Sequence, residues 1–119
     1  VRYEQSKLDF DRLIAKGYTH YDVLFGAGCA NMKYYDLRKA LSYLDRCIAE
    51  RKDHFEALFL RAEIYRQMRD FAKARADLET ILAIEPASPV ICGLYPGEYA
   101  DRASLAKRKA EAADILKTM

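Results

Sequence analysis

The sequence predicts an all-α fold made of antiparallel helix pairs, and two observations lead to this prediction. Residues 21–53 and 55–87 align with each other without gaps, so that residue 55 corresponds to residue 21 one repeat length earlier. Within each segment, apolar residues recur at three-to-four spacing on both sides of a short polar turn, which is typical of two amphipathic helices. Such a pair cannot bury its apolar face alone, so we expect the pairs to stack on one another.

The aligned positions keep the size of the side chain, as packing between repeated helices requires. Small residues correspond at Gly28 and Ala62, and again at Ala40 and Ala74. Other corresponding pairs are Leu24 and Leu58, Phe25 and Phe59, Asp36 and Asp70, Leu44 and Leu78, and Ile48 and Leu82. The small residues predict a close approach of the two helices, and the two aspartates suit the N-cap of each second helix.

The same register extends towards the N-terminus. Phe10 and Ile14 lie one repeat length before Leu44 and Ile48, so residues 3–18 are predicted to be the second helix of a preceding repeat. The first helix of that repeat would lie upstream of this sequence.

Towards the C-terminus the register decays, because Pro96 and Gly97 fall where a helix should continue. The segment Tyr95-Pro96-Gly97-Glu98 is predicted to be a turn, followed by a helix from about Asp101 to Lys117. Residues 88–119 are therefore interpreted as a degenerate repeat or a capping helix, with a cap favoured. The whole chain, 1–119, is expected to form a single helical repeat domain.

Composition and net charge reduce the range of possible functions. Hydrophobic residues make up 51% of the chain and charged residues 32%, as in a soluble globular protein. The net charge of +2 is too small to draw the chain to nucleic acid or to acidic lipids. No stretch approaches the roughly 18 consecutive apolar residues of a membrane span. Membrane insertion is therefore not expected, and nucleic acid is a disfavoured partner.

The second segment resembles the tetratricopeptide repeat family, whose unit of about 34 residues places large, small and aromatic residues at fixed positions and closes with a proline. The matching residues are Leu58, Ala62, Tyr65, Phe71, Ala74, Leu78 and Pro86. The first segment matches more loosely, at Leu24, Gly28, Leu37, Ala40 and Leu44. It carries Asn31 and Lys52 where the second carries Tyr65 and Pro86. The glycine often found in the turn of this family is replaced by Tyr35 and Arg69.

The resemblance implies a short right-handed superhelix of stacked helix pairs, closed by a C-terminal capping helix. Members of the family are similar in function mainly as adaptors, whose first helices line a concave groove that holds a peptide or a partner helix. The groove positions carried over to this sequence are Asp22, Phe25, Cys29, Met32 and Lys33 from the first repeat, and Glu56, Phe59, Glu63, Arg66 and Gln67 from the second. This mixture predicts an apolar or basic peptide as the partner, for example an amphipathic helix with an exposed Lys or Arg.

One subgroup of the family binds the C-termini of chaperones through a clamp of Lys, Asn and Arg side chains, which hold a terminal carboxylate. The corresponding positions here are Phe25, Cys29, Leu60 and Glu56. Phenyl rings and a carboxylate do not attract another carboxylate, so no carboxylate clamp is predicted.

The cysteines and histidines do not indicate an enzyme. Cys29, Cys47 and Cys92 are odd in number and form no CxxC pair, which argues against a disulfide framework and a zinc site and favours a reducing, cytoplasmic compartment. A nucleophile–base pair of Cys29 with His20 or His54 lacks any signature of an orienting third group or an oxyanion hole. We therefore predict no catalytic residue, no cofactor and no metal.

The leading hypothesis is a protein-interaction scaffold that holds a partner protein in its groove as part of a larger protein or assembly. One alternative is a structural module whose groove is filled by its own C-terminal helix or by self-association. A second is an RNA-binding helical repeat, in which tyrosines such as Tyr34 and Tyr35, beside Lys33 and Arg38, would stack on single-stranded bases.

Overall fold

The computed structural model describes residues 2–84, 90–91, 99–100 and 102–119, with side chains described for 7–84 and 105–119. Six α-helices occur in these ranges: α1 (Arg2–Ala15), α2 (Tyr21–Lys33), α3 (Leu37–Glu50), α4 (Phe55–Gln67), α5 (Phe71–Ala83) and α6 (Arg102–Thr118). The predicted all-α class is confirmed. The predicted turn at residues 95–98 lies outside the described residues.

A short ladder that the sequence did not predict lies between α5 and α6 along the chain. Strand β1 (Val90–Ile91) pairs antiparallel with β2 (Tyr99–Ala100), so that Val90 faces Ala100 and Ile91 faces Tyr99. Two residues per strand do not change the fold class, because this is the only strand pairing in the described ranges.

The caps of the second helices follow the sequence prediction. Asp36 Oδ1 accepts a hydrogen bond from the backbone N–H of Lys39 at 3.3 Å, which caps α3. Asp70 Oδ1 accepts one from the backbone N–H of Lys73 at 3.4 Å, which caps α5. Each carboxylate satisfies an amide at the N-terminus of a helix and lies near the positive end of the helix dipole.

Histidines cap the two first helices, which the sequence did not predict because histidine is not a preferred N-cap residue. The Nδ1 atom of His20 accepts from the backbone N–H of Asp22 at 3.3 Å, at the start of α2. The Nδ1 atom of His54 accepts from the backbone N–H of Ala57 at 3.1 Å, at the start of α4. Both bonds require a ring nitrogen without a proton, so each cap depends on an imidazole that is not protonated at Nδ1.

The helices of the first pair approach closely at Gly28. A Cβ atom at this position would lie 2.7 Å from Cδ2 of Leu44, which has no exposed surface. The contact therefore requires glycine unless Leu44 moves within a closely packed core. The prediction that a small residue on α2 allows a close approach to α3 is consistent with this geometry.

The helices stack in chain order. α2 packs on α3 and α4 packs on α5 as antiparallel pairs, while α1 packs on α2 and α3 packs on α4. α6 packs on both α5 and α4, just as α4 packs on both α3 and α2. α6 therefore has the neighbours of a first helix. The repeat register would instead pair Ile115 and Leu116 with Ile81 and Leu82 of the second helix α5, and the contacts of α6 do not follow that register.

Two apolar clusters hold the stack together. One joins α4, α5 and α6, with Phe55 and Leu78 fully buried beside Ala112 of α6. The other joins α2 and α3 with part of α4, around Leu24 and Leu44. Burying a side chain such as Leu or Phe contributes roughly 1.5–3 kcal/mol, so the packing of α6 adds directly to the stability of α4 and α5.

The turns within the two helix pairs hold residues in the left-handed region. Tyr35 has a φ of 65° and Arg69 has a φ of 63°, at the two positions where the family often has glycine. A residue with a Cβ atom adopts this conformation at a cost of about 1–2 kcal/mol, whereas glycine adopts it without strain. Both side chains are exposed, so their removal sacrifices little packing.

Tyr35→Gly and Arg69→Gly are each expected to raise the free energy of unfolding by about 0.5–1 kcal/mol, because relief of strain exceeds the added entropy of the unfolded chain. Urea denaturation followed by circular dichroism measures the change. Tyr34→Gly and Met68→Gly are the matched controls, since these neighbours have φ values of −91° and −83°. The controls should lose stability, and an equal loss in the Tyr35 and Arg69 variants would contradict the strain argument.

Candidate functional site

The first helix α4 contacts both the other first helix, α2, and the C-terminal helix α6. The carboxylate of Glu56 in α4 is close enough to Cys29 of α2 to affect that thiol, and it accepts hydrogen bonds from Arg108 of α6. Burial, with a further contribution from the Glu56 charge, raises the pKa of Cys29 to about 11. Glu56 is therefore bonded to α6 and lies within electrostatic range of α2.

Arg108 is held by two carboxylates and an aromatic ring. Its Nε and Nη2 atoms donate to the two oxygens of Glu56, the second at 3.0 Å, and Nη1 donates to Oε2 of Glu111 at 2.9 Å. The guanidinium carbon lies 4.6 Å from the ring centroid of Phe59, within the range of a cation–π contact. The hydrogen bonds with Glu56 raise the pKa of Arg108, so its positive charge is permanent.

The structure brings Phe25 and Phe59 into equivalent contacts with the next helix of the stack. The ring centroid of Phe25 lies 4.8 Å from that of His54, at the start of α4, and Phe59 lies beneath Arg108 of α6. Both phenyl rings are half-buried. Each of these predicted groove residues is thus partly covered by a side chain from the next helix.

The other predicted residues of the first repeat differ in exposure. Asp22 is only 7% exposed, and its Oδ2 atom lies 3.6 Å from Nδ1 of His20. Met32 is half-buried and packs against the α2–α3 cluster. Lys33, at the end of α2, is exposed. Of these three residues, Lys33 presents the most surface to a ligand.

The remaining predicted residues of the second repeat lie in the C-terminal half of α4. Arg66 Nη1 donates to Oε1 of Glu63 at 2.8 Å, an ion pair within one helix turn, and both side chains are half-buried. Gln67 is exposed. An intrahelical pair of this kind contributes little to stability, so both charges can be redirected towards a ligand.

Arg61 is an important residue that sequence reasoning missed. It donates from Nε and Nη2 to the two oxygens of Asp77 at 2.8 and 2.6 Å, and from Nη1 to Asp45 at 2.9 Å. These bonds join α4 to α5 and α3. The repeat alignment pairs Arg61 with Ala27, so the repeat pattern gave no signal for this interaction.

A second polar cluster, around Asp11, joins α1 to the first pair. Its carboxylate accepts hydrogen bonds from Lys39 and Tyr43, both at 2.8 Å, and from Lys7 and Asn31 at 3.4 and 3.5 Å. Burial alone would raise the pKa of Asp11, but these hydrogen bonds outweigh it and the pKa is lowered. The cluster also explains Asn31, which occupies the position of Tyr65: it is fully buried and serves as a polar contact between helices.

The thiols and imidazoles are not arranged as activated groups. Burial raises the pKa of Cys29 to about 11 and that of Cys47 to about 12, so both thiols are protonated at neutral pH. Burial also lowers the pKa of His54, whose Nδ1 atom is engaged as a helix cap. Cys92 lies outside the described residues.

Neither a metal cluster nor a long apolar helix occurs in the described part of the chain. Among those residues, no group of three or more His, Cys, Asp or Glu side chains is placed to hold a metal ion. No helix in the described ranges is long and apolar enough to cross a membrane.

Antiparallel helix pairs, stacked at a fixed offset with their first helices on one surface, define an α-helical repeat protein. A family model described as tetratricopeptide repeat matches residues 32–95, which is more than half of the chain. The chain belongs to the tetratricopeptide repeat family. No curated protein matches the sequence. Repeats of this family generally mediate protein–protein interactions, and the family typically provides non-enzymatic scaffolds.

Proposed function

We propose that this chain is an interaction scaffold that binds a peptide or a partner helix in a concave groove, within a larger protein or assembly. The main support is that α4 packs on both α2 and α6 and that Glu56 of α4 bonds to Arg108 of α6, so the first-helix positions adjoin one another. The proposed groove residues are Asp22, Phe25, Cys29, Met32, Lys33, Glu56, Phe59, Glu63, Arg66 and Gln67.

The proposed organisation follows from the same stacking. Residues 21–53 and 55–87 are the two repeats, and residues 3–18 are the second helix of a preceding repeat. Residues 88–119 are proposed to be a degenerate repeat or a capping helix, and we favour the cap. Support for the cap comes from Leu105 and Ala112, which are buried against α4 and α5.

The proposed partner is an apolar or basic peptide. The acidic side chains of Glu56 and Glu63 would attract a basic residue, while the phenyl rings and Met32 provide apolar contacts. The free thiols Cys29 and Cys47 support a reducing compartment such as the cytoplasm.

A second candidate is a groove that is covered by the C-terminal helix of the same chain. The observation that favours it is the bidentate contact of Arg108 with Glu56 and its position over Phe59, since both of these acceptors are proposed groove residues. In that case, loosening the contact between α6 and α4 would expose the groove to a partner.

The test is a quantitative pull-down from cell extract with mass-spectrometric detection. The variant Gln67→Lys adds a positive charge at an exposed first-helix position and should leave the core intact. Its matched control, Thr80→Lys, makes the same charge change at an exposed position of α5. We expect the groove variant to lose about tenfold or more of the captured partner, because an added positive charge repels a basic peptide, while the control retains it.

Equal loss from the groove variant and its control would contradict binding in the groove. The variant Leu105→Ala, which weakens the packing of α6 on α4 and α5, separates the two candidates. If the groove is open, capture by this variant should stay near that of the intact protein. If α6 covers the groove, capture should rise, because a competing internal contact has been weakened.

A further inference from the structure

The sequence repeats an acidic residue and a phenylalanine three positions apart on each first helix. The pair is Asp22 and Phe25 on α2, and one repeat length later it is Glu56 and Phe59 on α4. In both pairs the next helix of the stack places a nitrogen-bearing side chain against the phenyl ring. Each ring therefore forms a seat for a nitrogen-bearing side chain, and in the second seat the acid, Glu56, also bonds to it.

The two seats differ in what fills them. The first is closed by His54, which has no exposed surface and also caps α4. The second is closed by Arg108, whose side chain is 30% exposed, and Glu56 is 29% exposed. The first contact is therefore part of the core, whereas the guanidinium in the second lies at the solvent boundary, where its side chain can leave without opening the core.

The geometry at the second seat is the one by which proteins recognise a guanidinium group. Two parallel N–H donors of Arg108 meet both oxygens of Glu56, and the planar group lies over Phe59. Glu111 adds a second carboxylate on the same guanidinium. Two negative charges facing one positive charge leave the cluster with an excess of one negative charge, which favours the approach of another cation.

We infer that Glu56, Phe59 and Glu111 form an arginine-binding site and that Arg108 is its exchangeable internal occupant. An arginine of a partner peptide binds by displacing the Arg108 side chain. α6 itself stays docked, because Leu105 and Ala112 remain buried at 3% and 0% exposure. The inference rests on the proposed function only for the source of the arginine, which is a basic partner peptide.

The experiment replaces the internal guanidinium with a small external one. In Arg108→Ala, N-ethylguanidinium is titrated while the side-chain and backbone signals of Glu56 and Phe59 are followed by nuclear magnetic resonance. We expect saturable shifts with a dissociation constant in the millimolar range, and about tenfold weaker binding once Glu56→Gln is added, since one charge-assisted bidentate contact is lost. N-ethylurea, which is neutral, should cause no saturable shift.

The intact protein and a second arginine variant provide the comparisons. The intact protein should bind N-ethylguanidinium about tenfold more weakly than Arg108→Ala, because Arg108 competes for the site. Arg66→Ala removes the partner of Glu63 but leaves Arg108 in place, so its binding at Glu56 and Phe59 should match that of the intact protein. If Arg108→Ala does not fold by circular dichroism, Arg108→Lys takes its place, since lysine keeps the charge but not the planar fork.

The inference is overturned if a folded Arg108 variant shows no saturable shift at Glu56 and Phe59, or if N-ethylurea binds as well as N-ethylguanidinium. This outcome is distinct from failure of the proposed function. If N-ethylguanidinium binds but the pull-down captures no groove-dependent protein, the arginine-binding site is supported and the protein-binding function is contradicted. If capture depends on the groove but N-ethylguanidinium does not bind, the protein-binding function is supported and the arginine-binding site is contradicted.

Discussion

Arg61→Leu is expected to lower the free energy of unfolding by about 3 kcal/mol, the largest single effect among the polar residues of this fold. The side chain of Asp77 is only 6% exposed, and Arg61 contacts both of its oxygens. Removal of the guanidinium would leave a buried carboxylate without these two charge-assisted bonds. Water cannot replace them without opening the interface between α4 and α5.

Urea denaturation of Arg61→Leu is compared with two other variants. Arg66→Leu breaks a half-exposed pair within one helix and should change stability by about 0.5 kcal/mol or less. The double variant Arg61→Leu, Asp77→Leu removes both charges from the interface and should recover most of the loss, because a buried ion pair can be replaced by apolar packing. A loss in Arg61→Leu no greater than that in Arg66→Leu would refute the assigned role of this contact.

The fold was predictable because it depends on a periodic pattern. The repeat alignment identified both helix pairs, and the close approach at Gly28 followed from a small residue facing Leu44. The N-caps at Asp36 and Asp70 were predictable for the same reason, since a cap involves only neighbouring residues of the chain. Local and repeated features leave their signal in a single sequence.

Contacts between repeats were not predictable in this way. Arg108 and Glu56 are 52 residues apart and lie on opposite sides of the break in the register, so no periodicity relates them. Arg61 contacts an aspartate 16 residues away, but the equivalent position of the first repeat is Ala27. Such interactions depend on which helix becomes the neighbour, and that is settled only by the packed fold.

The repeat pattern also could not predict how deeply a side chain is buried. The family resemblance placed Asp22 and Phe25 on the face proposed for the groove, but it did not show that Asp22 would be 7% exposed or that His54 would cover Phe25. A periodic pattern tells which face of a helix a residue lies on. The exposure of that face depends on the length and position of the side chains that the next helix contributes.

Asp11→Asn is expected to lower the free energy of unfolding at neutral pH by about 2 kcal/mol, since bonds to a charged group contribute amounts of this order and an amide keeps only part of them. The carboxylate accepts a charge-assisted bond from Lys39 and a bond from Tyr43, each at 2.8 Å. Because these bonds join α1 to the first pair, their loss should also loosen α1. Hydrogen exchange of the α1 amides measures the loosening, and the exposed Asp114→Asn is the control.

The stability lost in Asp11→Asn should depend on pH, and the sign of this dependence follows from the lowered pKa of Asp11. Because the folded-state pKa lies below the ordinary value of 3.8, the unfolded chain takes up a proton first as the pH falls. The stabilisation by Asp11 is therefore complete above about pH 5 and is lost as the pH falls through the folded-state value. Urea denaturation between pH 7 and pH 3 should show the difference between the native protein and Asp11→Asn shrinking in that range. A constant difference would mean that Asp11 contributes through packing rather than through its charge.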